Sequence, residues 1–407
     1  MNNPDHRAIV CLAFQCFPPW ARRTWSALQG EVLSACLLPD QVAIPLLRNQ
    51  RGPWRRYFPP RLPKFNFLKP QADWRRLLPD TPFYLRKVVA CLRAGDLVEA
   101  ARFAGVYSHY IGDFSQPAHH YELEIGTLLP PPASMRNCEY HRMIEDILST
   151  VKTVRHRGRV LGLSKQEAIF RIAGLYAALF RRSVAAVVPM VRAIYRRRHG
   201  PASRALNGVV ADSAKLMADF CCTALALATG EAPAGDRRRL AVCDLRDVEP
   251  DAYDVEFNFG RKPLVDCITV EEYGRARALA VCRRRGRRTA AERVKGICVI
   301  PHALPLETVQ PVASLRYRLP AGTFHRFQCE AGLLAGVERQ APSSFEVFVD
   351  GRSVCHTAQL RPGDPAMALQ ADLAGALKLE LRVRTDGSTE KLSYAVWANP
   401  RLKKADA

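Results

Sequence analysis

The chain sets 60 Lys and Arg against 39 Asp and Glu over 407 residues, a formal charge of +21, with 48% hydrophobic and 24% charged residues. That composition excludes a disordered chain, a collagen and a disulfide-stapled miniprotein. At roughly 100–200 residues per domain the length predicts two or three domains, each able to bury its own core.

In chain order, the first 19 residues hold an apolar stretch, Ala8 to Phe17, interrupted by Gln15 and closed by Pro18-Pro19. It falls short of the roughly 20 residues of a spanning helix, so no transmembrane span is expected. Behind the basic pair His6-Arg7 it has the outline of a degenerate export signal on poor flanks. From 20 to 229 apolar residues recur at helical spacing, as in Phe83-Tyr84-Leu85-Val88-Val89-Leu92, which predicts a helical domain. Proline-rich loops around Pro59-Pro60 and Pro130-Pro131-Pro132 separate its helices. Residues 230–258, with Gly, Pro and a basic run, read as a linker. Beyond it, over 259–404, the period shifts towards two. Ser344 to Val354 alternates around Asp350-Gly351, and Leu377 to Val383 repeats the pattern, which predicts a β-sandwich.

Thirteen scattered cysteines with no C-x-x-C read mostly as buried, reduced residues rather than as a disulfide framework or a thiolate zinc site. The arginine clusters at 196–198, 237–239 and 283–288 suit phosphates or an anionic membrane surface, although a solvated face is the commoner use of such runs. None is interleaved with the aromatic residues that base stacking uses.

Chemistry concentrates between Ser108 and His120. If the helix that begins near Asp96 continues this far, His109 and Asp113, four apart, share one face and can grip one cation. Pro117 ends or bends that helix and turns His119 back towards it, while His120 remains an alternative. After the proline loop, His141 and Glu145 repeat the spacing of four on a second helix. Either pair alone is also a common structural feature of helix surfaces. Two helices each presenting a His/carboxylate pair inward is how bundles build multinuclear metal sites.

The run His109-x-x-Gly112-Asp113-x-x-Gln116-Pro117-x-His119, followed by His141-x3-Glu145, resembles the signature of the zinc-dependent phospholipase C and single-strand-specific zinc nuclease superfamily. The resemblance covers about Trp20 to Thr229. It implies a helical fold with up to three zinc ions in a cleft, His109 and Asp113 serving a zinc pair bridged by Asp113, and His119, His141 and Glu145 holding the remaining zinc. Glutamate at 145, where the nuclease branch tends to carry aspartate, tilts the comparison towards the phospholipases. In that family an N-terminal tryptophan amine, a nearby histidine, an aspartate and another histidine complete the pair. Here Pro19-Trp20-Ala21 resembles that start, Trp25 stands where the histidine is expected, and Asp40 is either the carboxylate or a cap residue. The expected site therefore holds one to three zinc ions, with the His109/Asp113 pair weakened or empty.

A second resemblance covers about Phe259 to Leu402. Lys295 to Ala303, Leu315 to Pro320, Phe345 to Gly351 and Ala395 to Leu402 are similar, in order, to segments of the NPCBM family of carbohydrate-binding modules, which are galactose-binding-like jelly rolls. His302 and Trp397 stand in these segments as either sugar contacts or core residues. The family's acidic residue and histidine before the tryptophan are replaced by Ser393-Tyr394.

Together the resemblances imply a multidomain protein, helical then all-β. Its expected function is zinc-dependent phosphodiester hydrolysis of phospholipase C type, with a phospholipid or other phosphodiester substrate at a peripheral membrane surface and a glycan on the C-terminal module. A non-catalytic binding protein with a partial metal site is the alternative. The resemblances favour a place outside the cytoplasm, whereas the unpaired cysteines favour the inside; the balance falls on the extracytoplasmic side.

Overall fold

A computed structural model describes residues 3–41, 53–59, 80–119, 129–135, 140–255, 264–265, 267–269, 276–286, 288–301, 312–337, 339–386 and 392–405. The chain divides into two compact units, Met1–Arg237 and Arg238–Ala407.

The first unit is helical: α1 (Asn3–Gln15), α2 (Pro19–Trp25), α3 (Gln29–Ala35), α4 (Thr81–Arg93), α5 (Leu97–Ser115), α6 (Tyr140–Glu145), α7 (Lys165–Tyr195), α8 (His199–Thr229) and α9 (Ala234–Leu240). Local chemistry sets their ends. Asp80 and Asp96 cap α4 and α5 by accepting from the Phe83 and Glu99 amides. Ser164 caps α7 through the Glu167 amide, and Glu167 reaches back to the Leu163 amide. Gly230 ends α8 at φ 76°. The long helices α7 and α8 form a hairpin through residues 196–198, and α1 packs on α8, α5 and α3. The apolar stretch at the N-terminus is thus a core helix. Ile9, Val10 and Ala13 are completely buried, at the i, i+1, i+4 spacing of one helix face. Helix α7 is long and apolar enough to cross a membrane. Its face through Ile172, Tyr176, Leu179 and Phe180 is buried in the unit's own core.

A strap without regular structure, residues 148–163, runs across α8, where Asn207 accepts from the Thr150 amide at 2.7 Å and a buried carboxylate holds the part further along. Asp219 accepts from His156 Nε2 at 2.7 Å, the Arg159 amide at 2.8 Å and Arg159 Nη2 at 3.1 Å. The Leu161 amide donates to Thr223 Oγ1 one turn along the same helix.

The second unit is a sandwich of two antiparallel sheets. Its strands are β1 (Val242–Asp244), β2 (Ala252–Val255), β3 (Leu264–Val265), β4 (Cys267–Thr269), β5 (Ala276–Ala278), β6 (Ala280–Arg285), β7 (Arg288–Arg293), β8 (Gly296–Val299), β9 (Val312–Arg318), β10 (Arg326–Leu333), β11 (Ser343–Val349), β12 (Arg352–His356), β13 (Met367–Asp372), β14 (Lys378–Thr385) and β15 (Ala395–Lys403). One sheet runs β13-β10-β15-β8-β3 with β1 on β15; the other runs β12-β11-β14-β9-β2. Residues 230–258, read as a linker from sequence, contain α9 and the strands β1 and β2, which pair with β15 and β9. Asp350 and Gly351, at φ 49° and 84°, make the two-residue hairpin turn that the alternation predicts. Inside, Trp397 of β15 meets Phe345 of β11 edge-to-face at 5.1 Å, which joins the two sheets. Trp397 is completely buried, so it is a core residue rather than a sugar contact. His302 lies outside the described residues.

Candidate metal centre

Helix α5 ends at Ser115, and Pro117–His119 continue as a single 3-10 turn, because proline cannot donate the next helical hydrogen bond. His109 and Asp113 face each other one turn apart, as their spacing predicts, with Nε2 3.1 Å from Asp113 Oδ2. The other imidazole at this carboxylate comes from His6 of α1, whose Nε2 lies 3.3 Å from Asp113 Oδ1. The His6 and His109 rings stack at 4.0 Å and 10°. Asp113 therefore offers one oxygen to each of two parallel imidazoles. Asp40 completes the group, with Oδ1 3.4 Å from His109 Nε2 and its side chain half exposed, which opens the site to solvent.

This corrects one expectation. Trp25 does not stand at the site; it is completely buried against Phe17 in the core. A histidine does stand at this carboxylate, His6 of α1. Its signal in the sequence is its place on the apolar stripe His6, Ile9, Val10, Ala13, which a helix over this stretch turns to one side.

Two glycines permit the arrangement. A Cβ on Gly112 would lie 2.6 Å from His6 Nδ1 and 2.8 Å from Cε1, so only glycine leaves room for that ring. A Cβ on Gly105 would lie 2.6 Å from the Val32 carbonyl oxygen and 2.7 Å from Ala35 Cβ. The bare backbone there lets α3 approach α5 closely enough for the Cys36 carbonyl oxygen to accept from His109 Nδ1 at 2.8 Å. A carbonyl oxygen only accepts, so Nδ1 carries the proton and Nε2 turns towards the carboxylates. Metal-binding imidazoles are commonly oriented in this way.

The charges follow from burial and proximity. Burial, reinforced by His109, pushes His6 down to about 3 against the pull of Asp113, so its ring is neutral. Burial also opposes charge on His109, but Asp113 and Asp40 outweigh it and raise its pKa. Burial works against the Asp113 carboxylate, yet His109 beside it, helped by His6, holds it well below the usual carboxylate range. Burial pushes Asp40 up, against His109.

The donor set fits a zinc-type cation. One ligand atom from each of His6, His109 and Asp113 lies within 4.8 Å of the others, and two imidazole nitrogens with a carboxylate are typical zinc donors. Both ring nitrogens of His6 are buried without a hydrogen bond among the described residues. Gln116, completely buried between Asp113 and His119 in the chain, likewise leaves both amide atoms without a hydrogen bond there.

The second expected group is partly visible. His119 is buried, and its Nε2 lies 3.8 Å from Glu145 Oε1 on α6, so the turn after Pro117 does meet the second helix. His141 belongs to α6 by its backbone, but its side chain lies outside the described residues, as does His120.

With both units described, comparison with known proteins adds the following. Residues 308–403 match the NPCBM/NEW2 domain family. No match is found among curated proteins. Among solved structures, the chain is similar to the CBM51-2 and INT domains of Clostridium perfringens ZmpB in complex with GlcNAc, at 17% identity and TM-score 0.31 over 40% of this chain. It spans 31% of the length of that structure. It is also similar to the CBM51 of a Clostridium perfringens GH95 protein in complex with methyl-galactose, at 18% identity and TM-score 0.31, over 40% of this chain and 99% of that one. Clostridium perfringens alpha-toxin from an avian strain is similar over 98% of both chains, at 10% identity and TM-score 0.31. The NPCBM/NEW2 segment takes in β9 to β15, and with them the strands joined through Phe345 and Trp397.

Proposed function

We propose that the helical unit is a zinc-dependent phosphodiester hydrolase of phospholipase C type, working outside the cytoplasm, and that the β-sandwich unit binds a glycan. One observation carries the first part: two stacked imidazoles, His6 and His109, each facing one oxygen of Asp113, with Asp40 at the open side. The match of residues 308–403 to the NPCBM/NEW2 domain supports the second.

His6, His109, Asp113 and Asp40 would hold one metal group, and His119 and Glu145, with His141, the other. Bound zinc supplies a Lewis acid and a water whose pKa falls to roughly 7. The protein's own part is positional and electrostatic. Cys36 fixes the His109 tautomer, Gly112 seats His6, and Asp113 ties α1 to α5 through Oδ1 while Oδ2 faces His109. The chain's excess of positive charge draws an anionic phosphodiester towards the cleft. A phospholipid substrate would bring the protein to a membrane surface.

Metal analysis by mass spectrometry on protein purified without chelator tests this reading, with two or three zinc ions per chain expected. Release of water-soluble phosphate ester from choline phospholipid vesicles should accompany it and fall at least a hundredfold in Asp113→Ala. One zinc or none, with no turnover when zinc is added, would instead mark a binding protein on the same scaffold.

A further inference from the structure

The stretch 280–285 and 288–293, with its cluster of arginines, has no part in the metal centre, and it lies outside residues 308–403. It forms the two-stranded ribbon β6–β7, paired from Ala280↔Arg293 to Arg285↔Arg288. The ribbon is anchored at its base. Leu279 and Val281 are buried in the sandwich core. The Ala335 amide donates to the Ala280 carbonyl at 2.8 Å, the Ala366 amide to that of Cys282 at 2.7 Å and the Val294 amide to that of Leu279 at 2.9 Å.

Opposite residues in an antiparallel pair share a face, so the register sorts the arginines. One face carries Arg283 and Arg285, which pair with Glu292, and Arg283 also pairs with Glu330 of β10. Those contacts neutralise charge and hold the ribbon down. The other face carries Ala280, Cys282 and Arg284 against Arg293, Ala291 and Thr289. Arg284 and Arg293 are exposed and have no side-chain partner among the described residues; Arg288, opposite Arg285 at the tip and so on the first face, is likewise exposed and unpartnered there. Asp364, whose charge reaches Cys282, accepts the Arg361 amide. Arg284 and Arg293 stand four residues apart along the ribbon, about 13 Å at a strand's rise, with only Cys282, Thr289 and Ala291 between them. Small side chains alone thus separate two unpaired guanidiniums along this face of the ribbon.

We propose that this ribbon is a second binding surface, separate from the metal centre, for a sulfated polysaccharide. Guanidinium forks pair with oxyanions through two parallel hydrogen bonds. The small side chains between them leave room for a polymer backbone, and the anchored base keeps the arginines in place. No residue from 280 to 293 is aromatic, so the ribbon offers no platform for stacking bases. It also exposes no large apolar side chain for insertion into lipid. A glycan carrying its charge on peripheral sulfates needs neither.

The test measures binding of the full chain to sulfated dextran, to uncharged dextran of the same length, to single-stranded DNA and to vesicles containing phosphatidylglycerol. Sulfated dextran should bind, uncharged dextran should not bind at the ribbon, and affinity should fall as salt rises. The triple variant R284A/R288A/R293A should bind at least tenfold more weakly and with a flatter salt dependence, at an unchanged melting temperature, because none of the three side chains has a partner to lose. R284K/R288K/R293K should restore part of the binding. Asp113→Ala should bind as the wild type does, so failure here and failure of the hydrolase reading are told apart. Wild-type affinity in the triple alanine variant overturns the proposal, and so does tighter binding of DNA or vesicles than of sulfated dextran through these arginines.

Discussion

Gly112 illustrates how a single position decides the geometry of the His6, His109 and Asp113 cluster. A methyl group there would occupy the space of the His6 ring, 2.6 Å from Nδ1. A buried helix cannot shift by the ångström needed without disturbing its neighbours. Gly112→Ala should therefore displace His6 and weaken zinc binding at least tenfold in a chelator competition assay, while circular dichroism shows the helices intact. Unchanged affinity would mean that His6 is not a ligand. Helix propensity alone predicts a gain from this change, since alanine is the better helix former by about 1 kcal/mol, so a loss would identify packing as the cause. The glycine was visible in the motif; its reason was not, because the ring that fills the space comes from more than a hundred residues away.

Among the elements, the strap over 148–163 is held to α8 at Asn207 near its start and at Asp219 further along. Asp219 is almost completely buried and accepts from both His156 and Arg159. Replacing it with alanine would leave the Arg159 amide and the His156 ring without their acceptor. Losing one partner of a buried charged network costs about 3 kcal/mol. Asp219→Ala should lower stability by about that amount in urea titration and make the strap a site of early proteolysis. A loss below about 1 kcal/mol with the strap still protected would show that the bonds at Asn207, Cys16 and Thr223 suffice. The strap itself carries no helical or alternating pattern. Its path was illegible in the sequence because it is set by hydrogen bonds to α8 rather than by its own periodicity.

For the molecule as a whole, metal should stabilise one unit and leave the other alone. A ligand that binds only the native state adds stability by mass action, about 2.7 kcal/mol at a free concentration of 100 Kd. Chelation should thus raise amide hydrogen exchange in α1, α5 and the turn Pro117–His119, and leave the strands from β8 to β15 unaffected. Equal loosening of both units, or of neither, would contradict a metal centre confined to the helical unit. In the β unit, Phe345→Ala should cost about 3–5 kcal/mol, as expected for an aromatic side chain removed from a close-packed core, read as a lower denaturant midpoint for that unit.

The residues alone determined the change from helix to strand, the Asp350-Gly351 hairpin, the start of a helix near Asp96, and the His109/Asp113 pair. Each rests on interactions within a few positions of the chain, where periodicity and spacing translate directly into shared faces. Tertiary structure decided the rest. It brought His6 over Gly112, placed the Cys36 carbonyl behind His109, and set Asp40 at the mouth of the site. It buried Trp25 and Trp397 as core residues and built β1 and β2 into sheets from a stretch that reads as a linker. These outcomes depend on which helices and strands can approach closely, and such contacts between distant segments leave no periodic trace in the sequence.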